Sequence, residues 1–228
     1  MTIAPQLAEV AHLVADPGRA NILSALMDGR RLSAGELAEI AGVTPQTTSS
    51  HLAKLVGREL LIVEKRGPRR LYRLASPLVA QMLEGLMTVA AAAAPRFRPA
   101  SRIDAEMRHA RTCYDHLAGE LGVALADAMR EQGHLVLDAD GGEMTAGGIG
   151  FLTGLGADLI VPAGSRRPFC RPCLDWSERR PHLAGRVGAA LADLAFRQDW
   201  IRRRPRGRSV EITEAGLAAF RSHFRARI

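Results

Sequence analysis

Apolar side chains recur at helical spacing over 4–15, 17–27, 34–41, 45–58 and 77–93, and the spacing predicts a helix in each stretch. Three starts carry their own signals. Asp16 before Pro17 and Thr44 before Pro45 are N-cap residues followed by proline at the first helical position. Ser33 and Glu36 have the S-x-x-E spacing of a capping box. After residue 58 the period shortens. Leu61 to Val63 and Leu71 to Leu74 flank a charged stretch centred on Gly67-Pro68, which predicts a hairpin over 61–74. The tract AAAAPRFRPAS, 91–101, holds two prolines that stop a helix. It is expected to separate a first domain, 1–95, from a second, 101–228.

The second part contains an internal repeat. HLAGELGVALADAMREQ (116–132) and HLAGRVGAALADLAFRQ (182–198) agree at ten of seventeen positions. Each copy is followed by an apolar pair (Leu135, Val136; Trp200, Ile201), a turn-rich hairpin segment and a helix led by Thr. The reading is of two related helix-hairpin units packed about a pseudo-dyad. The small faces Ala118, Gly119, Gly122 and Ala184, Gly185, Gly188 would let their helices approach closely. The expected class is mainly α with small β-hairpin wings.

Composition narrows the partners. The chain has 228 residues, 47% of them hydrophobic, so it can bury a core. Its net charge is +7, and its basic residues are nearly all Arg, whose planar fork suits phosphates and guanine edges. Three cysteines are too few for a disulfide framework and fit a cytoplasmic protein. The N-terminus has no signal-peptide pattern, and the most apolar run, 86–94, is too short to span a bilayer, so no membrane role is expected.

Helix 34–41, the turn at Gly42 and helix 45–58 have the layout of a helix-turn-helix, with hairpin 61–74 as its wing. Leu52, Leu55 and Val56 form a buried stripe on helix 45–58. The opposite face offers Gln46, Thr47, Ser50 and His51 as base readers, with Ser49 and Lys54 as phosphate contacts. Lys65, Arg66, Arg69 and Arg70 around the wing tip add backbone contacts. A rival reading has the winged helix making protein contacts only.

The run TPQTTSSHLAKLVGRELLIVEKRGPRRLYRL resembles the arsenic-repressor-type (ArsR) winged-helix regulators. Ser49, His51, Leu52 and Leu55 match the S-x-H-L-x-x-L recognition helix. Leu61 to Val63, Gly67 and Tyr72-Arg73-Leu74 match the wing. Asp16-Pro17-x-Arg19, Ile22-Leu23 and Leu26 match the D-P-x-R-x-x-I-L-x-x-L helix. The resemblance covers about 8–90. It implies a homodimer on an inverted-repeat operator in double-stranded DNA, usually a repressor released by an effector. The metal-sensing positions of that family are not filled. Helix 34–41 has no cysteine, and 77–93 has neither Asp nor His. An effector site is therefore expected in the C-terminal extension.

That extension offers Cys170-Arg-Pro-Cys173, with Cys113 and His116 spaced as i, i+3 on a helix. These are candidate ligands for a thiophilic metal or metalloid at Cys113, Cys170 and Cys173, or for a thiol redox switch favoured by Arg166, Arg167 and Arg171. His116 and His182 hold equivalent repeat positions and either meet across the dyad or hydrogen-bond within their own repeats. Trp176 and Trp200 either line an organic-ligand pocket or pack in the core. Arg202, Arg203, Arg204, Arg206 and Arg208 form either a second phosphate-binding wing or a solvated strand edge. The rival classes are a thiol-based metal or redox module without DNA and an enzyme using the Gly-rich segment 141–156. That segment lacks the setting of a nucleotide loop, so no enzyme is expected.

Overall fold

A computed structural model describes residues 4–92, 102–138, 141–165, 167–205 and 207–228. Residues 93–101 of the expected linker, 91–101, lie outside them. The chain divides into two compact units, 1–86 and 87–228. The division falls inside a helix, and Thr88, whose carbonyl accepts from Arg179 at 3.2 Å, belongs with Arg179 to the second unit.

The first unit opens with α1 (Ala4–Ala15) and α2 (Pro17–Ala25), followed by a 3-10 turn (Leu26–Asp28) that ends at Gly29 with φ +74°. Strand β1 (Leu32–Ser33) leads into α3 (Ala34–Ala41), then α4 (Pro45–Gly57), the hairpin β2 (Leu61–Arg66) and β3 (Arg69–Leu74), and α5 (Pro77–Ala92). The helix starts follow from their caps. The Asp16 carboxylate accepts from Arg19 N–H, Ser33 and Glu36 form a complete capping box, and Thr44 Oγ1 accepts from Thr47 N–H.

The small sheet has the order β1-β3-β2 and is antiparallel. Leu32 pairs with Tyr72, and the register of the hairpin runs from Leu61↔Leu74 to Arg66↔Arg69. That register leaves Gly67 and Pro68 as the two loop residues. Gly67 has φ +59°, at the position where a type II′ turn requires glycine. Ile22, Leu23, Leu26, Leu37, Leu52, Leu55, Leu61 and Leu74 form the core, so the helix-turn-helix and its wing share one apolar centre. The sequence reading missed β1, which is only two residues long.

In the second unit one order of elements occurs twice. After α6 (Arg102–His109) come β4 (Arg111–Cys113), β5 (His116–Ala118), α7 (Gly119–Glu131), β6 (Leu135–Leu137), β7 (Gly142–Met144) and α8 (Ala146–Gly154). Then follow β8 (Arg171–Leu174), β9 (Pro181–Ala184), α9 (Gly185–Arg197), β10 (Ile201–Arg203), β11 (Val210–Ile212) and α10 (Glu214–Ser222). Each copy is thus a hairpin, a helix, a second hairpin and a Thr-capped helix. Thr145 and Thr213 accept from the N–H groups of Gly148 and Gly216 at 3.0 Å.

Two expectations for the repeat change. His-Leu-Ala of each copy is strand, and the helix begins only at the following glycine. Gly119 and Gly185 have φ +76° and +82°, and a Cβ on Gly119 would stand 2.3 Å from Arg108 O, so the turn admits only glycine. The small residues do not join helix to helix either. Each helix seats the hairpins. A Cβ on Gly122 would meet Leu117 O at 2.5 Å and the His182 Cβ at 3.5 Å. One on Gly188 would meet Leu183 O at 2.3 Å and the His116 Cβ at 3.1 Å. Each repeat therefore receives the histidine of the other against its glycine. Leu121, Leu125, Met129, Val187, Leu191, Leu194, Phe220 and Phe224 fill the core between them.

Candidate nucleic-acid interface and the cysteine-histidine cluster

Helix α4 is anchored through one face. Thr48, Leu52 and Leu55 are almost fully buried, and Thr48 Oγ1 donates back to Thr44 O at 3.0 Å. Gln46, Thr47, Ser49, Ser50 and Lys54 are exposed. Ser49 Oγ donates to Pro45 O at 2.9 Å, and Thr47 Oγ1 lies 2.9 Å from the capping Thr44 hydroxyl. Gln46 and Ser50 thus project from the first turns of a helix whose N-terminal dipole favours an anion, and Lys54 from its last turn. On the wing, Lys65, Arg66, Arg69 and Arg70 are exposed around the Gly67-Pro68 tip. Arg73 is not part of this set, because Glu64 accepts from its Nε at 2.6 Å and also binds Arg31. The two arginines hold the Glu64 carboxyl below its ordinary range.

His51 is a correction. It is 9% exposed, and its Nε2 lies 3.5 Å from Asp16 Oδ1. A Cβ on Gly18 would come within 3.0 Å of that nitrogen. The ring packs on the start of α2 and does not face outward, so it cannot read a base from this position. Arg19 completes the joint from inside. Its Nε donates to Leu13 O at 2.6 Å and Nη2 to His12 O at 3.0 Å, tying the last carbonyls of α1. The Asp16 carboxyl is lowered first by the Arg19 N–H, against a burial cost, and then by the charges of Arg19 and His51. The D-P-x-R block and the histidine of S-x-H-L are therefore two sides of one helix-helix contact.

A model of a helix-turn-helix domain matches residues 14–64. The uncharacterized HTH-type transcriptional regulator YdfF of Bacillus subtilis is 42% identical over 224 residues, 98% of this chain and 99% of its own length. The chain belongs to the helix-turn-helix transcriptional regulators. A second relative, the HTH-type transcriptional regulator CmtR of Mycobacterium tuberculosis, is 37% identical over 83 residues, 36% of this chain and 70% of that protein. Among solved structures, the homodimeric winged helix-turn-helix DNA-binding domain of a Mycobacterium bovis protein, described as a possible ArsR-family regulator, is 27% identical. It covers 39% of this chain and 81% of that one, with a TM-score of 0.36.

In the second unit of this regulator, the predicted ligands regroup. Cys113 faces His116 across the β4–β5 hairpin, and Cys173 faces His182 across β8–β9. Cys113 and His116 are thus strand partners across a tight turn, not neighbours on a helix. The donor atoms of these four residues all lie within 4.8 Å of one another, and all four residues are buried. The two Nε2 atoms are 3.2 Å apart. His116 and His182 thus meet across the repeats through Nε2, and each also faces a carboxylate of its own repeat through Nδ1.

Cys170 does not join them. It packs into the main core against Gly142, and burial pushes its thiol up to about 11. The C-x-x-C is therefore split between two environments, and a metal held by Cys113, Cys170 and Cys173 together is ruled out by this geometry.

Three residues at the cluster escaped the sequence reading. Asp175, fully buried, accepts from Arg111 Nη2 at 2.6 Å and Gly119 N–H at 2.7 Å, and its Oδ2 lies 3.1 Å from His182 Nδ1. Burial opposes its charge, but His182 and Arg111 outweigh that and hold the carboxyl far below its usual range. Asp115 is arranged alike, with Oδ1 3.3 Å from His116 Nδ1 and 2.9 Å from Arg167 Nη2. Burial again opposes the charge, and His116 and Arg167 hold it at about 2. For His182, burial lowers the ring's proton affinity, yet Asp175 and Cys113 together raise it above the ordinary value. The repeat extended backwards shows the signal: Arg111-x-Cys113-x-Asp115 and Arg171-x-Cys173-x-Asp175 share one pattern.

The remaining candidates are packing. Trp200 is in the core beside Phe220, and Trp176 lies under the Arg111 guanidinium, 4.5 Å from its ring centre. Arg202 pairs with Asp199 (2.7 Å from Nε), Arg203 covers Phe196, and Arg208 is buried. Arg206 and Arg166 lie outside the described residues. The described arginines of that run therefore do not form a free phosphate-binding row. In the Gly-rich segment, a Cβ on Gly148 would stand 2.1 Å from His134 O, so its glycine serves close packing.

Proposed function

We propose that this regulator is a homodimeric repressor that holds an inverted-repeat operator through α4 and the wing and is released by an effector acting on the second unit. The observation that carries it is the division of α4. Thr48, Leu52 and Leu55 fix the rod in the core while Gln46, Thr47, Ser50 and Lys54 are turned out beside four exposed wing cations. Gln46, Thr47 and Ser50 read base edges; Ser49, Lys54, Lys65, Arg66, Arg69 and Arg70 hold phosphates. A second copy is called for by the large apolar residues left in solvent on the helices flanking the reading head. Leu7 of α1 is 67% exposed and Leu78 of α5 is 72% exposed. The second unit is the place for the effector, because the sensory positions of ArsR-type regulators carry no ligands here. The domains are thus 1–95 for reading and pairing and 101–228 for response.

The test is selection of the full-length regulator on random duplexes, followed by affinity and mass measurements on the enriched site. The expected product is an inverted repeat with half-sites about one helical turn apart, bound by two chains. Equal affinity for enriched and random duplexes, or one chain on a single half-site, refutes the reading.

A further inference from the structure

The geometry points to a closed metal site, fitted to zinc, formed by Cys113, His116, Cys173 and His182 and stapling the two repeats of the second unit together. This goes beyond the DNA-binding reading and does not depend on it.

The donor set is two thiols and two imidazoles, the soft and borderline ligands that select zinc over magnesium or calcium. In a tetrahedron with Zn–N bonds of about 2.0–2.1 Å, two nitrogen ligands stand about 3.3 Å apart. The His116 and His182 Nε2 atoms are 3.2 Å apart. The orientation of both rings is set from behind. Asp115 and Asp175 each face the Nδ1 of their own repeat's histidine, which turns the two Nε2 atoms inward. Metal-binding histidines carry this kind of carboxylate support.

Charge closes as well. Each carboxylate is already matched by an arginine, Asp115 by Arg167 and Asp175 by Arg111. The charge of a divalent ion is then cancelled by the two thiolates alone. Binding converts both thiols to thiolates and releases their protons to solvent, leaving a neutral buried centre. Burial decides the type of site. His182 is 0%, His116 2%, Cys113 3% and Cys173 7% exposed, so four protein donors surround the ion and no solvent position remains. That is the pattern of a structural site rather than a catalytic one.

The two repeats supply the ligands evenly, Cys113 and His116 from one hairpin and Cys173 and His182 from the other. Gly122 and Gly188 leave the space in which each histidine crosses to the opposite helix. The close Nε2 pair, the two thiols within 4.8 Å of it and the carboxylate behind each histidine together make up four ligands and their support.

The experiment is metal analysis of the full-length regulator purified in reductant without chelator. About one zinc per chain is expected, falling at least tenfold in Cys173→Ser and in His182→Ala, while Cys170→Ser retains it. Should those variants fail to fold, the unmutated chain stripped of zinc and titrated with cobalt(II) keeps the question open to measurement. The expected result is the absorption of tetrahedral cobalt bound to thiolates, bleached by added zinc. A chain that carries no zinc and gives no cobalt spectrum overturns the proposal, as does a Cys113–Cys173 disulfide in freshly reduced protein. None of these readouts involves DNA, so failure here leaves the operator reading intact, and the reverse also holds.

Discussion

His51 shows how far one residue's role depends on a few degrees of helix rotation. Both its neighbours along the outward face, Thr47 and Ser50, are exposed, yet its ring is shut against Gly18 and Asp16. His51→Ala should therefore cost about 1–3 kcal/mol of stability, the range for losing a packed, polar-partnered side chain, and leave the preferred operator unchanged. A thermal melt beside a repeat of the duplex selection checks both halves; a changed consensus in a chain of unchanged stability would contradict the placement. Gln46→Ala should do the opposite. Its loss should lower discrimination at a single base pair by roughly tenfold, in line with about 1–3 kcal/mol for a bidentate base contact, with stability intact. Cys170 offers a third contrast. With its thiol pushed up to about 11 by burial, almost no thiolate exists near pH 8. It should resist alkylation in the native chain for as long as the second unit stays folded, as read by mass spectrometry of the modified peptides.

At the scale of elements, glycine chemistry separates two positions on one helix. A Cβ on Gly148 of α8 would stand 2.1 Å from the His134 carbonyl oxygen, whereas one on Gly150 would meet nothing within 4 Å. Gly148→Ala should destabilise the second unit by several kcal/mol, since backbone must shift to admit the methyl group. Gly150→Ala should stabilise it by about 0.5–1 kcal/mol through helix propensity. Denaturant titration of the pair gives the sign of each, and destabilisation by both would show α8 packed differently. Gly216 repeats the close approach in the second copy, against Trp200 O at 2.0 Å. Gly148 and Gly216 thus have a common physical origin: each lets its helix lie against the carbonyl just ahead of the hairpin that precedes it.

For the molecule as a whole, charge sets the response to salt. Lys65, Arg66, Arg69 and Arg70 are exposed at the wing, and two copies on one operator would engage about six to ten phosphates with the help of Lys54 and Ser49. The logarithm of affinity should then fall against the logarithm of salt with a slope of about −5 to −9. Arg69→Ala with Arg70→Ala should weaken binding to all duplexes alike and flatten that slope. A flat salt response in the unmutated chain would place the cations away from DNA. No described helix is long and apolar enough to cross a membrane.

The order of elements in the reading head was legible in the chain because its signals are local. Asp16-Pro17, Ser33 with Glu36, and Thr44-Pro45 start helices through bonds to backbone three residues away, and Gly67 turns the wing by its own φ. The duplication was legible for the same reason, since HLAG recurs wherever a strand must turn into a helix through a positive φ. Which side chains meet was another matter. Cys113 and Cys173 lie sixty residues apart in the numbering, and the chemistry that joins them depends on two hairpins facing each other. The C-x-x-C suggested Cys170 as the partner of Cys173, but Cys170 stands in the bend just before β8 and packs in the apolar core, while Cys173 lies on the strand and packs with Cys113. Local hydrogen bonding determines where elements begin and end; only the packing of distant hairpins and helices decides which face of each element becomes a site.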